Sequence, residues 1–212
     1  MISPRARAFP RKYLWQAPRG FWFKLTRNSD AVLGAMIGAR SVAVVGNAKS
    51  LLDTDFGPEI DAHEVVIRLN KGFVLRPKAQ GSRTDLVGIT PELTEDETAS
   101  RFAPQAFVML TPKMRHYAFK RPENIRRTIF YAYRYWLADR NRIGRRPSSG
   151  YMMISYLLRL NNAASITLYG FDFGATQTYY NPAGYRTPHD YAAERAIILE
   201  WAEQGRLTIV SA

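Results

Sequence analysis

Several short stretches carry the residue types that can do chemistry. In Thr187-Pro188-His189-Asp190, Thr187 reads as a helix N-cap, Pro188 as the first helical residue and Asp190 as the third, in a capping-box-like arrangement. His189 then stands in the first helical turn, where the positive helix end disfavours imidazolium. A neutral imidazole at the rim of a cleft is a general base; the alternative is an exposed histidine of the capping region. Pro147-Ser148-Ser149-Gly150 opens another helix. Its unpaired N–H groups and serine hydroxyls suit a carboxylate or phosphate, and they equally suit simple capping. Arg140, Arg142, Arg145 and Arg146 precede it, as a solvated face or as a positive field beside an anion site. Gly46-Asn47 ends an apolar run. There a ligand can approach the backbone and meet the Asn47 amide, or the asparagine caps a strand exit. Arg68 and Asn70 alternate about Leu69, as a polar ligand shelf or as an ion-pair partner and a turn cap. Gly81-Ser82-Arg83-Thr84-Asp85 is either an anion-contacting loop or a hydrogen-bonded turn into the next strand.

Other chemistries find little material. With no cysteine, disulfides, thiolate metal sites and cysteine nucleophiles are excluded. His63, His116 and His189 are far apart and form no HExxH pair, so no metal site is expected. His63 and His116 read as structural or exposed. The GxGxxG dinucleotide fingerprint and the P-loop are both absent. The chain carries 30 Lys and Arg against 18 Asp and Glu, a net +12. That balance is compatible with nucleic acid, anionic lipid, anionic polysaccharide or nucleotide phosphates. A nucleic-acid-binding protein is the rival from another class, although no zinc-finger, leucine-zipper or RNP-like pattern is present.

The elements that must position these residues follow from the apolar patterning. A chain of 212 residues with 46% hydrophobic and 23% charged residues is globular and of one-domain size. Short β-branched runs at Ser41–Gly46, Val65–Leu69, Asp85–Ile89, Ala106–Leu110, Ser165–Tyr169 and Leu207–Val210 read as buried strands. Thr128–Tyr131 is a strand or the start of a helix. Helices are expected over Gly150–Leu160 and over 188–204, the latter with Ala192, Ala196, Leu199 and Ala202 at helical spacing. The alternation predicts an α/β fold, a mostly parallel sheet flanked by helices. The irregular stretches 70–84, 90–104 and 171–187 each follow a strand and should face the site. Residues 1–40 read as a basic aromatic arm on a domain spanning 41–212. The first 50 residues hold nine Lys or Arg against one acid, Asp30. The arm either packs on the fold or touches an anionic membrane surface. No signal peptide and no membrane-spanning run is apparent.

Taken together, the segments resemble glycosyltransferase family 29, the eukaryotic-type sialyltransferases. Val42-Ala-Val-Val-Gly-Asn47, Phe56-Gly-Pro-Glu-Ile-Asp-Ala-His63, Val66-Ile-Arg-Leu-Asn70 and Gly81-Ser-Arg-Thr84 are similar to its long motif. Pro147-Ser-Ser-Gly150 with Ile166-Thr-Leu-Tyr-Gly-Phe171 is similar to the small motif, and Tyr179-Tyr180 to the aromatic third motif. His189-Asp-Tyr-Ala-Ala-Glu194 is similar to the very small motif. The resemblance implies a modified Rossmann-like fold over 41–212 and an inverting, metal-independent transferase with no cofactor beyond a CMP-activated sugar as donor. It implies His189 as catalytic base. Gly46, Asn47, Asn70, Ser149, Gly150 and Tyr180 would hold the donor, with Arg68, Arg83, Ser148 and Glu194 in support. The departures are Ala43 and Asn161 or Asn162 where the family carries a disulfide, Ala48 for a serine, a third motif without its histidine, and no amino-terminal anchor. They suggest a compact bacterial cytoplasmic relative, working at the inner membrane face on an anionic oligosaccharide or lipid-linked glycan. CMP-sialic acid and CMP-Kdo are both compatible donors, and a non-catalytic CMP-sugar binder is a further alternative.

Overall fold

The structure, a computed structural model, describes residues 16–90, 100–111, 122–175, 178–179 and 187–211. Among the described residues seven parallel strands form one sheet: β1 (Ser41–Val45), β2 (Val65–Leu69), β3 (Leu86–Ile89), β4 (Ala106–Met109), β5 (Thr128–Phe130), β6 (Ser165–Tyr169) and β7 (Thr208–Val210). Their order across the sheet is β5-β4-β3-β2-β1-β6-β7. The central strands are mostly apolar because both faces are covered, as parallel sheets require. Val42, Val44, Val65, Ile67 and Leu168 point into the larger core. Alternate residues Ala43, Val45, Val66 and Tyr169 point into a smaller core on the other face. Thr128–Phe130 is a strand, and the aromatic run after it enters a helix.

Helices α1 (Gln16–Thr26) and α2 (Ser29–Ile37) precede the sheet; α3 (Gly57–Ala62), α4 (Pro77–Gln80) and α5 (Pro122–Arg126) lie in its connections. Three longer helices follow: α6 (Tyr133–Ile143), α7 (Ser149–Leu160) and α8 (Tyr191–Glu203). Leu33 and Ile37 of α2 are fully buried in the larger core. Asn162, just past α7, donates its amide to the Gly34 carbonyl at 2.9 Å. Residues 29–37 thus pack as part of the domain.

Two readings of α8 are corrected. Its N-cap is Asp190, whose side chain accepts from the Ala193 N–H at 3.0 Å. His189 therefore precedes the helix instead of standing in its first turn, while the Thr187 hydroxyl accepts the His189 N–H at 3.2 Å. A carboxylate one residue before the helix is the stronger cap, and it displaces the threonine. The buried side of α8 is Glu194, Ile198 and Trp201. Ala192 and Ala196 are exposed, because the larger side chains take the interior and a buried carboxylate interrupts their apolar pattern.

After β1 the chain builds outward through β2 to β5, then returns to lay β6 on the other side of β1. That reversal leaves a crevice beyond the carboxyl ends of β1 and β6, where open α/β sheets take their ligands.

Candidate active site

The crevice holds a cavity of about 570 Å³, a volume suited to a small-molecule ligand. Its base is the exit of β1. Gly46 donates its N–H to the Tyr169 carbonyl at 2.7 Å, and Ala48 donates to Gly170 at 3.2 Å. A Cβ on Gly46 would stand 2.3 Å from the Gly170 carbonyl oxygen, so only glycine permits this approach of two strand ends. Asn47 donates Nδ2–H to the Leu69 carbonyl at 3.0 Å. Its own carbonyl accepts the Tyr179 N–H at 3.3 Å. The Tyr179 hydroxyl lies 3.2 Å from the Phe73 carbonyl and 3.4 Å from Asn47 Oδ1. Asn70 adopts a left-handed backbone, φ 49°. Its Oδ1 accepts from the Thr90 N–H at 3.0 Å and from the Thr90 hydroxyl at 3.1 Å. Both asparagines line the cavity and fix the strand exits that form it.

The opposite wall is the start of α7. Ser148 is its N-cap: Oγ accepts from the Tyr151 N–H at 3.1 Å. The hydroxyl donates to Glu194 Oε2 at 2.5 Å, and the Ser148 N–H donates to Oε1 at 2.7 Å. Glu194 is only 2% exposed, and burial, against the two bonds from Ser148, pushes its carboxyl up to about 7. Ser149 and Gly150 occupy the next two helical positions, whose N–H groups have no carbonyl one turn back; both residues line the cavity. A Cβ on Gly150 would lie 2.9 Å from the Phe171 ring, so glycine lets the aromatic side chain close against the helix start.

His189 completes the wall. Its Nδ1 is 2.9 Å from the Arg146 carbonyl. A carbonyl accepts only, so Nδ1 carries the proton and the neutral ring's lone pair lies on Nε2. The residues before α7 thereby orient the imidazole, and the site draws together positions 46–47, 70, 148–150 and 189.

Arg68 and Arg83 lie outside the cavity lining. Arg68, fully buried on the other face of the sheet, donates Nε–H toward the Arg83 carbonyl and Thr84 Oγ1 at 3.0 and 2.9 Å, and Nη2–H to the Gln80 carbonyl at 2.9 Å. Desolvation pulls its guanidinium down to about 10, still charged at neutral pH. Arg83 donates to the carbonyls of Asp61 and His63 at 2.8 and 2.7 Å. Asp61 accepts the N–H groups of Ser82 and Arg83. Residues 81–85 are therefore the hydrogen-bonded turn into the sheet, not an anion loop. Tyr180 and His116 fall outside the described residues.

Among the described residues no cluster of three or more His, Asp or Glu could hold a metal ion. The sequence does contain an Asp-x-Asp, Asp53-Thr54-Asp55. Its carboxylates pair at the surface with Arg76 at 3.4 Å and Lys78 at 3.0 Å, away from the cavity lining. Thr178 was not found from the sequence. It forms an antiparallel bridge with Ala48 and lines the cavity, and its buried hydroxyl has no hydrogen-bond partner. No local spacing marks a lone threonine in an irregular segment.

Residues 23–119 match the profile of glycosyltransferase family 29 (sialyltransferase). The chain is 29% identical over 177 residues, 68% of its length, to a mouse CMP-N-acetylneuraminate-beta-galactosamide-alpha-2,3-sialyltransferase 1, and 28% identical over 158 residues to its human counterpart. These alignments span 48% and 45% of those proteins, so the chain covers about half their length. A mammalian sialyltransferase crystal structure superposes with a TM-score of 0.67 at 21% identity, over 98% of this chain and 82% of that one. The sialyltransferase CstII from Campylobacter jejuni, solved with cytidine-5'-monophosphate, superposes with a TM-score of 0.52 at 16% identity, over 81% of this chain and 79% of that one.

Proposed function

We propose, from the match of residues 23–119 to glycosyltransferase family 29 (sialyltransferase) and the likeness to the mouse enzyme, that this chain is a member of that family and transfers sialic acid, or a related 2-keto-3-deoxy acid sugar, from a CMP-activated donor to a glycan hydroxyl. The observation that carries this reading is the locked imidazole. His189 is oriented by the Arg146 carbonyl at 2.9 Å in the wall of the cavity that Gly46, Asn47 and the start of α7 line.

In this reading the donor's anionic groups meet the N–H groups of Ser149 and Gly150, where the helix end favours negative charge. The nucleotide lies toward Gly46, Asn47 and Asn70. His189 Nε2 takes the proton from the acceptor hydroxyl as that oxygen attacks the anomeric carbon. The bond to the phosphate oxygen breaks on the opposite face, CMP leaves with the bonding pair, and the anomeric centre inverts. The imidazolium then returns its proton to solvent. A single leaving-group phosphate develops less charge than a diphosphate, so helix-end N–H groups, hydroxyls and arginine suffice to stabilise it, and the reaction is metal-independent. Glu194 acts through Ser148 by fixing the helix start.

A donor screen tests the reading. CMP-sialic acid and CMP-Kdo are each offered with soluble and lipid-linked glycans, and CMP release is followed with and without EDTA. Acceptor-dependent release with one donor, undiminished by EDTA, is expected. CMP binding with no turnover across the whole panel would instead make the protein a sugar-nucleotide binder.

A further inference from the structure

Five large hydrophobic side chains are exposed among the described residues, and four stand on two helices beside the edge strand β5. Trp22 is 64% and Leu25 68% exposed on α1, and Tyr133 is 56% and Leu137 37% exposed on α6. Both helices flank the edge strand β5, α1 against the sheet face that holds Met109 and Phe130 and α6 against the opposite face that holds Val108 and Ile129. Arg27, just past α1, donates to the Arg126 carbonyl, two residues before the strand. Ser29 Oγ accepts the Phe130 N–H at 3.0 Å, and α6 begins directly after the strand. On α1, Trp22 and Leu25 are three residues apart and share a face, while Phe23 turns inward against the core that contains Val87 and Met109. Over residues 22–25 the helix thus shows apolar side chains toward solvent as well as toward the domain, the reverse of an ordinary surface helix. On α6, Tyr133 and Leu137 stand one turn apart. The Tyr133 ring stacks on Trp136 with centroids 5.9 Å apart, and the Arg140 guanidinium lies 5.7 Å from the Trp136 centroid.

The charge around these two stripes is mostly basic. Residues 16–27 contain three cations and no acid. Arg134, Arg140 and Arg142 are exposed on α6. The acids nearby are paired: Asp139 is buried against Arg159 at 2.8 Å, Asp30 lies 3.2 Å from Arg134, and Glu200 of α8 lies 2.8 Å from Arg142. We propose that the β5 edge of the domain, flanked by α1 and α6, docks on an anionic lipid bilayer. Trp22 and Tyr133 sit at headgroup level, Leu25 and Leu137 reach the acyl boundary, and the arginines meet lipid phosphates. Nucleic acid would satisfy the arginines and stack on the aromatic rings, but it offers the two leucines no apolar surroundings. No helix among the described residues is long and apolar enough to cross a membrane, and the edge described lies on the surface of one. The inference stands apart from the transferase reading.

Sedimentation with phosphatidylcholine vesicles, with and without phosphatidylglycerol, tests it at about 0.15 M salt. The full chain should bind the anionic vesicles at least about ten-fold more tightly than the neutral ones. Trp22→Ser with Leu25→Ser should lower that binding about ten-fold or more, as should Tyr133→Ser with Leu137→Ser. Unchanged unfolding temperatures establish that each pair of substitutions leaves the fold intact, and the two pairs test the two sides of the edge independently. Equal binding to both vesicle types, or binding indifferent to both pairs, overturns the proposal. So does an oligonucleotide that binds through this edge while vesicles do not.

Discussion

Glu194 offers a quantitative test of how the site is held. Its carboxylate is buried and accepts both the N–H and the hydroxyl of Ser148, and its carboxyl rises from an ordinary 4.5 to about 7. Between those pH values the folded protein holds more protons than the unfolded chain, so stability falls as pH rises from 4.5 towards 7. A shift of that size is on the order of 3 kcal/mol. Glu194→Gln has no proton to lose and keeps an acceptor for the Ser148 N–H. Its stability difference from the wild type should therefore move in the variant's favour as pH rises through the window, then level off above it. Glu194→Ala strips the half-buried Ser148 N–H and hydroxyl of their acceptor, at about 1 kcal/mol each, and leaves a small cavity; a loss of about 2–4 kcal/mol is expected. Urea unfolding of the three proteins from pH 4.5 to 8 measures both effects, and other titrating groups cancel in the differences. A wild-type-minus-Gln difference that stays flat across the window would refute the assignment of a raised carboxyl. A harmless Glu194→Ala would refute its role in holding the start of α7.

Asn47→Ala frees the Leu69 carbonyl and loosens the Tyr179 strap, so CMP affinity measured by calorimetry should fall about ten-fold, with about 1 kcal/mol lost from stability. Thr178→Val replaces the unpartnered cavity hydroxyl at constant shape. If donor binding supplies its partner, CMP affinity should fall about five- to ten-fold with the unfolding temperature unchanged; an unchanged affinity would make the hydroxyl a bystander. Gly46→Ala sets a Cβ 2.3 Å from a backbone oxygen that has nowhere to move, and thermal unfolding should show a loss of about 1–3 kcal/mol.

The local elements were legible where chemistry and burial agree. Val65–Leu69 and Ser165–Tyr169 are strands with the bounds their runs of β-branched and other apolar residues indicate, and the one charge inside them, Arg68, is buried and hydrogen-bonded to backbone carbonyls and Thr84. The sheet order was not legible, since pairing β6 against β1 joins residues more than 120 positions apart and no local pattern records it. The start of α8 was misplaced because Thr187 and Asp190 are both good caps, and only the Ala193 N–H shows which one acts. Its buried side was misjudged because Glu194 lies on it, a charge that periodicity assigns to solvent. Local motifs singled out His189, Asn47, Asn70 and Ser149 and the family resemblance gave them roles, while geometry supplied what His189 and the two asparagines touch. The Arg146 carbonyl that sets the His189 tautomer and the Ser148–Glu194 pair are contacts between segments more than 40 residues apart. Thr178 gave no sequence signal at all.

The decisive measurement pairs acceptor-dependent CMP release with calorimetric CMP binding, on the wild type and on His189→Ala, with the donor and acceptor that the screen identifies. If His189 is the base in a CMP-sugar site, the variant should bind CMP within about three-fold of the wild type while its turnover falls on the order of 100-fold or more. Turnover that survives the substitution, or CMP binding that falls in step with it, would contradict that assignment.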